Sequence, residues 1–156
     1  MRYNTVKDLI DWAIGFHERM AHQYRDAAAT AKSRDERLAM ALDYLSDREL
    51  KLKSGLETLT HDGFDHREVL DTWFDETGEF PEPPALDALA ERPVADSIDA
   101  LMRTAADEHE RLESLYRHRA EQAGIEPEEE FFTALADGHN AEGKRMVMSL
   151  KELQSM

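Results

Sequence analysis

TVKDLIDWAIGFHERMAHQYRDAAATA, residues 5–31, sets apolar or small side chains at Val6, Ile10, Ala13, Met20, Tyr24, Ala27 and Ala31, with His17 alone breaking the series. Steps of three and four residues bring these positions onto one face of an α-helix, the spacing that faces a bundle core. Thr5 suits the N-cap position just ahead of them. The same rhythm recurs three times. A second helix, from about Arg34 to Leu59, carries Leu38, Leu42, Leu45, Glu49, Leu52, Leu56 and Leu59 on its stripe. A third starts near Asp96 or Ser97 and stops at Gly124, with Ile98, Met102, Ala105, His109, Leu112, Tyr116, Ala120 and Ala123. A fourth begins at Pro127 and runs to the C-terminus, with Phe132, Leu135, His139, Glu142, Met146, Leu150 and Leu153. Pro127 and the acidic run Glu128, Glu129 and Glu130 suit the first turn and positive end of that helix.

The connections decide the topology. Only a few residues around Lys32 and Ser33 separate the first two helices, so they are expected as antiparallel neighbours. The last two are joined as tightly around Gly124, Ile125 and Glu126. Between the pairs lies a long stretch, His61 to Ala95, that holds Pro81, Pro83, Pro84 and Pro93. Within it, Arg67 to Asp75 is expected as a short helix that covers the bundle with Trp73 and Phe74. The fold class is therefore all-α: an antiparallel four-helix bundle of two helical hairpins joined by a long crossover, about residues 61–95. That is the ferritin-like topology. The 156 residues form one domain, 1–156, long enough to bury a core.

Composition agrees and excludes several functions. Leu, Ala and Met dominate the apolar set and β-branched residues are scarce, which favours helices over strands. A formal charge of −15 argues against nucleic acid, whose phosphates are held by Lys and Arg, and against an anionic membrane surface. With no cysteine, disulfides, thiolate metal sites and thiol catalysis are excluded. No apolar stretch is long enough to cross a bilayer, and the first ten residues do not read as a signal peptide, so a cytoplasmic location is the default expectation. A homodimer through exposed helix faces would be ordinary; a small-molecule partner is not legible. Neither a Ser-His-Asp grouping nor a glycine-rich phosphate loop is present.

Each stripe is apolar except near its middle. There the titratable groups are His17, Glu49, His109, and the pair His139 and Glu142. His17 lies 16 residues before Ser33 and Glu49 lies 16 after it; His109 lies 16 before Ile125, and His139 and Glu142 lie 14 and 17 after it. In straight helices rising about 1.5 Å per residue, the five groups share nearly one level. Burying unpaired charge is unfavourable, so such convergence needs a reason. One is metal binding, since imidazole with carboxylate suits Zn, Fe, Mn, Ni or Cu. The other is a dry polar layer that hydrogen-bonds itself and fixes bundle register.

The two hairpins also repeat. Residues 16–25, FHERMAHQYR, match residues 108–117, EHERLESLYR, in the string His-Glu-Arg, an apolar residue, three others, then Tyr-Arg. By stripe position Leu45 aligns with Leu135, Glu49 with His139, and Leu52 with Glu142, as in an internal duplication. Tyr24 and Tyr116 each follow their His by seven residues, either as phenols that serve a ligand or redox chemistry or as core aromatics beside a polar layer. Glu18 and Glu110 lie one step off the stripe, as flanking carboxylates or as surface partners of Arg.

These features resemble the ferritin-like superfamily, and its rubrerythrin-like branch in particular, over essentially all four helices. The resemblance implies a metal centre inside the bundle, built from a Glu on the first and third helices and a Glu-x-x-His pair on the second and fourth. Placed on this chain, those positions fall on His17, on Glu49 with Leu52, on His109, and on His139 with Glu142. Only Glu49 has the family's residue type. The expected site is thus His17, Glu49, His109, His139 and Glu142, holding one or two divalent ions (Fe, Mn or Zn). The expected function is a ferritin-like metal-binding protein, with iron- or manganese-dependent oxidoreductase activity as its extension. The alternative is a metal-free scaffold or dimeric interaction module. A third reading, a small-ligand pocket walled by Trp12, Phe16, Trp73, Phe74 and Phe132, ranks last.

Overall fold

The computed structural model describes residues 4–61, 66–74 and 82–156. Among these residues there are six helices: α1 Val6–Ala31, α2 Glu36–His61, α3 Arg67–Leu70, α4 Glu82–Glu91, α5 Ile98–Glu121 and α6 Glu126–Ser155. The long ones begin where the chemistry of their first turns dictates. Thr5 and Asp8 form a reciprocal capping box, each side chain accepting from the other's backbone N–H at 3.2 Å. Asp35 accepts from Leu38 N at 3.1 Å, and Ser97 accepts from Ala100 N at 3.2 Å. At α6 no side chain caps the N-terminus; Pro127 lies in the first turn with Glu126, Glu128 and Glu129, which meet the helix dipole.

The helices pair as two hairpins, α1 with α2 and α5 with α6, and α2 also meets α6. Contacts within each hairpin run antiparallel: Glu18 pairs with Lys53, the Ala21 carbonyl with Ser46 Oγ, and Arg25 with Asp47. In the second hairpin His109 faces His139 while Arg117 reaches Asp137. All the stripe residues expected to face the core are buried or half-buried. The core they form is continuous, from Val6, Leu9 and Ile10 near one end to Leu38 and Leu150 near the other.

The crossover departs from expectation at three points. The short helix ends at Leu70 rather than near Asp75. Beyond it the backbone turns extended and pairs with the chain entering α1, Val6 N donating to Thr72 O at 3.0 Å and Phe74 N to Asn4 O at 2.8 Å. That pairing turns alternate side chains to opposite sides. Phe74 is buried, with the Arg119 guanidinium 3.9 Å above its ring, whereas Trp73 is 68% exposed and covers nothing. The third departure is α4, a helix within a proline-rich stretch where the sequence reading named none. Its prolines, Pro83 and Pro84, sit in the first turn, where the missing N–H groups have no intrahelical acceptors anyway. Helix α4 packs on α1 and α5, and Asp87 anchors it by accepting from Trp12 Nε1 at 3.0 Å and Arg19 at 2.6 Å.

Candidate metal centre

Halfway along the bundle, α1, α2, α5 and α6 all turn ionisable side chains inward. His17 and Glu49 are fully buried, with Glu108, His109, His139 and Glu142 nearly so. The contact within each hairpin is equivalent. In the first, His17 Nδ1 lies 3.2 Å from Glu49 Oε1; in the second, His109 Nδ1 lies 3.0 Å from His139 Nδ1. The His17 and His139 rings, from different hairpins, stack with centroids 5.7 Å apart. The shared level read from the sequence therefore holds for four of the five expected residues.

The fifth turns elsewhere. Glu142 is buried, yet its carboxylate is gripped by Arg48 on both oxygens, one contact measuring 2.8 Å, and by Arg145 at 3.0 Å. Burial alone would raise its pKa, but the Arg48 hydrogen bond and the two guanidinium charges outweigh it and hold the carboxyl below its usual range. Glu142 is thereby kept ionised, and its charge adds to the upward push on Glu49.

Its place is taken by a residue that the stripe reading passed over. Glu108, beside His109, is buried among the central groups, and ligating atoms of His17, Glu49 and Glu108 all lie within 4.8 Å of one another. Among the described residues this is the one group of three or more His, Asp or Glu side chains so arranged. Glu108 belongs to a second series on α5, Leu101, Ala105, Glu108, Leu112, Leu115 and Arg119, with the same steps of three and four and every member buried. That spacing was the signal that could have found it. The flanking carboxylates considered instead lie outside: Glu18 pairs with Lys53 at 3.2 Å on the surface, and Glu110 is exposed.

Protonation follows from burial. Desolvation pushes Glu49 up to about 7, against a lowering hydrogen bond from Glu108. Desolvation first, and the Glu49 charge second, push Glu108 well above the carboxylate range. Two carboxyls this close in a dry interior share a proton more readily than both ionise. Burial drives His17 down to about 4 and His109 and His139 below the usual imidazole range, so all three rings are neutral at pH 7 and carry a lone pair.

Apart from the proton that the two carboxyls share, His17 Nε2, Glu49 Oε2, Glu108 Oε2 and His109 Nε2 have no hydrogen-bond partner. Buried polar atoms are normally satisfied, so four orphans at one level are a departure from the usual rule. A divalent ion fits the donor set, since neutral imidazole and carboxylate oxygens suit Fe, Mn or Zn. This buried His17–Glu49–Glu108 group can hold a metal ion.

The tyrosines stand beside the centre. Tyr116 stacks on His139 at 5.5 Å and on Phe132 at 6.1 Å, and burial raises its pKa. Tyr24 is raised by burial and by the charges of Glu108 and Glu49. Both hydroxyls are buried and unpartnered.

His139 separates two clefts. One, of about 580 Å³ between α5 and α6, is walled by His109, His139, Gly143 and Met148 among others. The second, of about 310 Å³ between α2 and α6, reaches His17 and His139. Gly143 has a structural role here: a Cβ added to it would stand 2.9 Å from His109 Cβ, so only glycine lets α6 approach α5 this closely. The aromatics considered from sequence as pocket walls lie apart: Trp12 and Phe16 stack on each other at 5.4 Å within the core while Trp73 is exposed.

Comparison of the chain with protein-family models, curated proteins and solved structures found no match. No helix among the described residues is long and apolar enough to cross a membrane.

Proposed function

We propose that this chain is a ferritin-like metal-binding protein that holds a divalent ion, iron or manganese, inside its bundle for oxidation–reduction chemistry. The observation that carries the reading is the set of unpartnered atoms on His17, Glu49, Glu108 and His109, all buried at one level. The paired hairpins and the crossover between them are the features that support the ferritin-like comparison.

His17, Glu49 and Glu108 would hold the ion, with His109 Nε2 next in reach, 3.9 Å from Glu108 Oε2. A bound iron or manganese ion would supply the one-electron chemistry that these side chains lack. The chain's own residues do the rest. Glu49 and Glu108 release the proton they share when the ion arrives, and their charge offsets that of the cation. His139 holds His109 through its Nδ1, which fixes the direction of His109 Nε2. Tyr116, backed by Phe132, stacks on His139 and covers that face of the ring.

The test is metal analysis of protein purified without chelator or affinity-tag nickel, then loaded in turn with Fe, Mn, Zn, Ni and Cu. About one ion per chain is expected for Fe or Mn, lost in Glu108→Gln. A stoichiometry near zero with all five metals contradicts the proposal. One observation favours the second reading, a metal-free scaffold: Arg48 and Arg145 already neutralise Glu142, as a purely structural polar layer would require.

A further inference from the structure

The cleft between α2 and α6 differs in kind from the polar layer it reaches. Its walls are Leu52, Leu56 and Leu59 on α2 and Ala134 and Leu135 on α6, with Gly55 and Gly138 opposite open space. Leu52, Leu59 and Leu135 stand on core stripes yet remain half-exposed, because α2 and α6 leave the cleft between them. The buried His17 and His139 mark its inner end and the exposed Lys51 its mouth. Its volume, about 310 Å³, lies at the lower end of ligand pockets, roughly 300–1,000 Å³. Taking about 30 Å³ per water-sized group, it accommodates roughly ten non-hydrogen atoms.

His17, which lines the inner end, has one ring nitrogen without a partner. Glu49 engages His17 Nδ1, while His17 Nε2 is buried with no hydrogen bond. A leucine-lined passage that stops at a bare imidazole nitrogen suits a ligand with an aliphatic body and one donor at its tip. The guanidinium charges nearby, Arg48 and Arg145, are committed to Glu142. A cationic head would find the one carboxylate on the cleft wall, Glu142, already held by those two guanidinium groups, and an anionic head would find a cation only at the mouth, Lys51, far from the buried end.

We infer that the α2–α6 cleft binds a small uncharged aliphatic molecule bearing a hydroxyl, whose O–H donates to His17 Nε2 while its chain lies along Leu52, Leu56, Leu59 and Leu135. Binding at this place does not require the ion. The alcohol and an ion would compete for His17 Nε2, so the binding described is that of the metal-free protein.

The probe is 1-heptanol, titrated into the metal-free protein while the ring nitrogen signals of His17 and His139 are followed by NMR. A saturable shift of both is expected. Heptanoate and heptylamine should bind at least tenfold more weakly. Gly138→Leu and Gly55→Leu, which fill the cleft from opposite walls, should each weaken heptanol at least tenfold. Gly15→Leu, where a Cβ also meets open space but outside the cleft, should leave it unchanged. Circular dichroism and metal content of the three variants separate cleft filling from misfolding. No saturable shift, heptanoate or heptylamine binding as well as heptanol, or heptanol binding indifferent to both cleft fillings would overturn the inference. Each of those results leaves the ion site intact, whereas heptanol binding by a protein that takes up no metal defeats the metal-binding reading alone.

Discussion

The Nδ1 atoms of His109 and His139 stand 3.0 Å apart inside the second hairpin, the position that His17 and Glu49 hold in the first. Two like nitrogens at this distance accommodate one proton between them, so one ring donates and the other accepts. Burial holds both rings below the usual imidazole range. The pair is therefore expected to be neutral at pH 7, with one Nδ1 protonated and its partner bare, as nitrogen-15 shifts would report. An imidazolium signature on either ring at that pH would contradict this arrangement.

Glu49 carries a pH-dependent burden on stability. Its folded pKa is raised to about 7 from 4.5, so its contribution is fully present below pH 4.5 and is lost as pH rises through 7. Glu49→Gln keeps the shape and removes the ionisation. The metal-free variant should gain on the order of 3 kcal/mol over the parent at pH 8, at about 1.4 kcal/mol per unit, and little at pH 4.5. Urea unfolding at the two pH values measures the difference; an equal effect at both would be inconsistent with a raised Glu49.

The same carboxyls make metal uptake release protons. Below pH 7 an incoming cation must displace the proton that Glu49 retains, and Glu108 is raised as well, so affinity should rise with pH through 7. Calorimetry in buffers of different ionisation heat counts the protons. Binding without proton release at pH 6 would place the ion elsewhere.

Two glycines of α6 should respond in opposite directions to alanine. At Gly143 the new Cβ meets His109 Cβ at 2.9 Å, an atom that cannot swing aside, so Gly143→Ala should destabilise by about 1–3 kcal/mol. At Gly138 nothing lies within 4 Å, and helix propensity alone should stabilise by about 0.5–1 kcal/mol. Thermal melts of the pair decide it; a stabilising Gly143→Ala would mean that α5 and α6 are less closely packed.

Much of the bundle was legible because burial and periodicity coincide. His17, Glu49, His109 and His139 stand on stripes whose neighbours are Leu, Ala and Met, and the short turns at Ser33 and Ile125 fix their heights. Glu108 was not legible in the same way, because a single stripe was threaded through α5 whereas this helix buries two adjacent ones. Glu142 was placed on the right face, but the direction of its carboxylate depends on Arg48, a contact between residues 94 apart. Helix α4 was hidden by Pro83 and Pro84, which break a helix interior but suit a first turn. Trp73 was assigned to the cover because size and hydrophobicity say nothing of which side an extended strand turns outward.

Anomalous diffraction from crystals grown with iron or manganese asks the decisive question directly. A peak within bonding distance of His17, Glu49 and Glu108 at about one ion per chain is the result expected of a centre assembled from both hairpins. A map with no peak between the four long helices, or with ions only on the acidic surface, would reduce those residues to a structural polar layer.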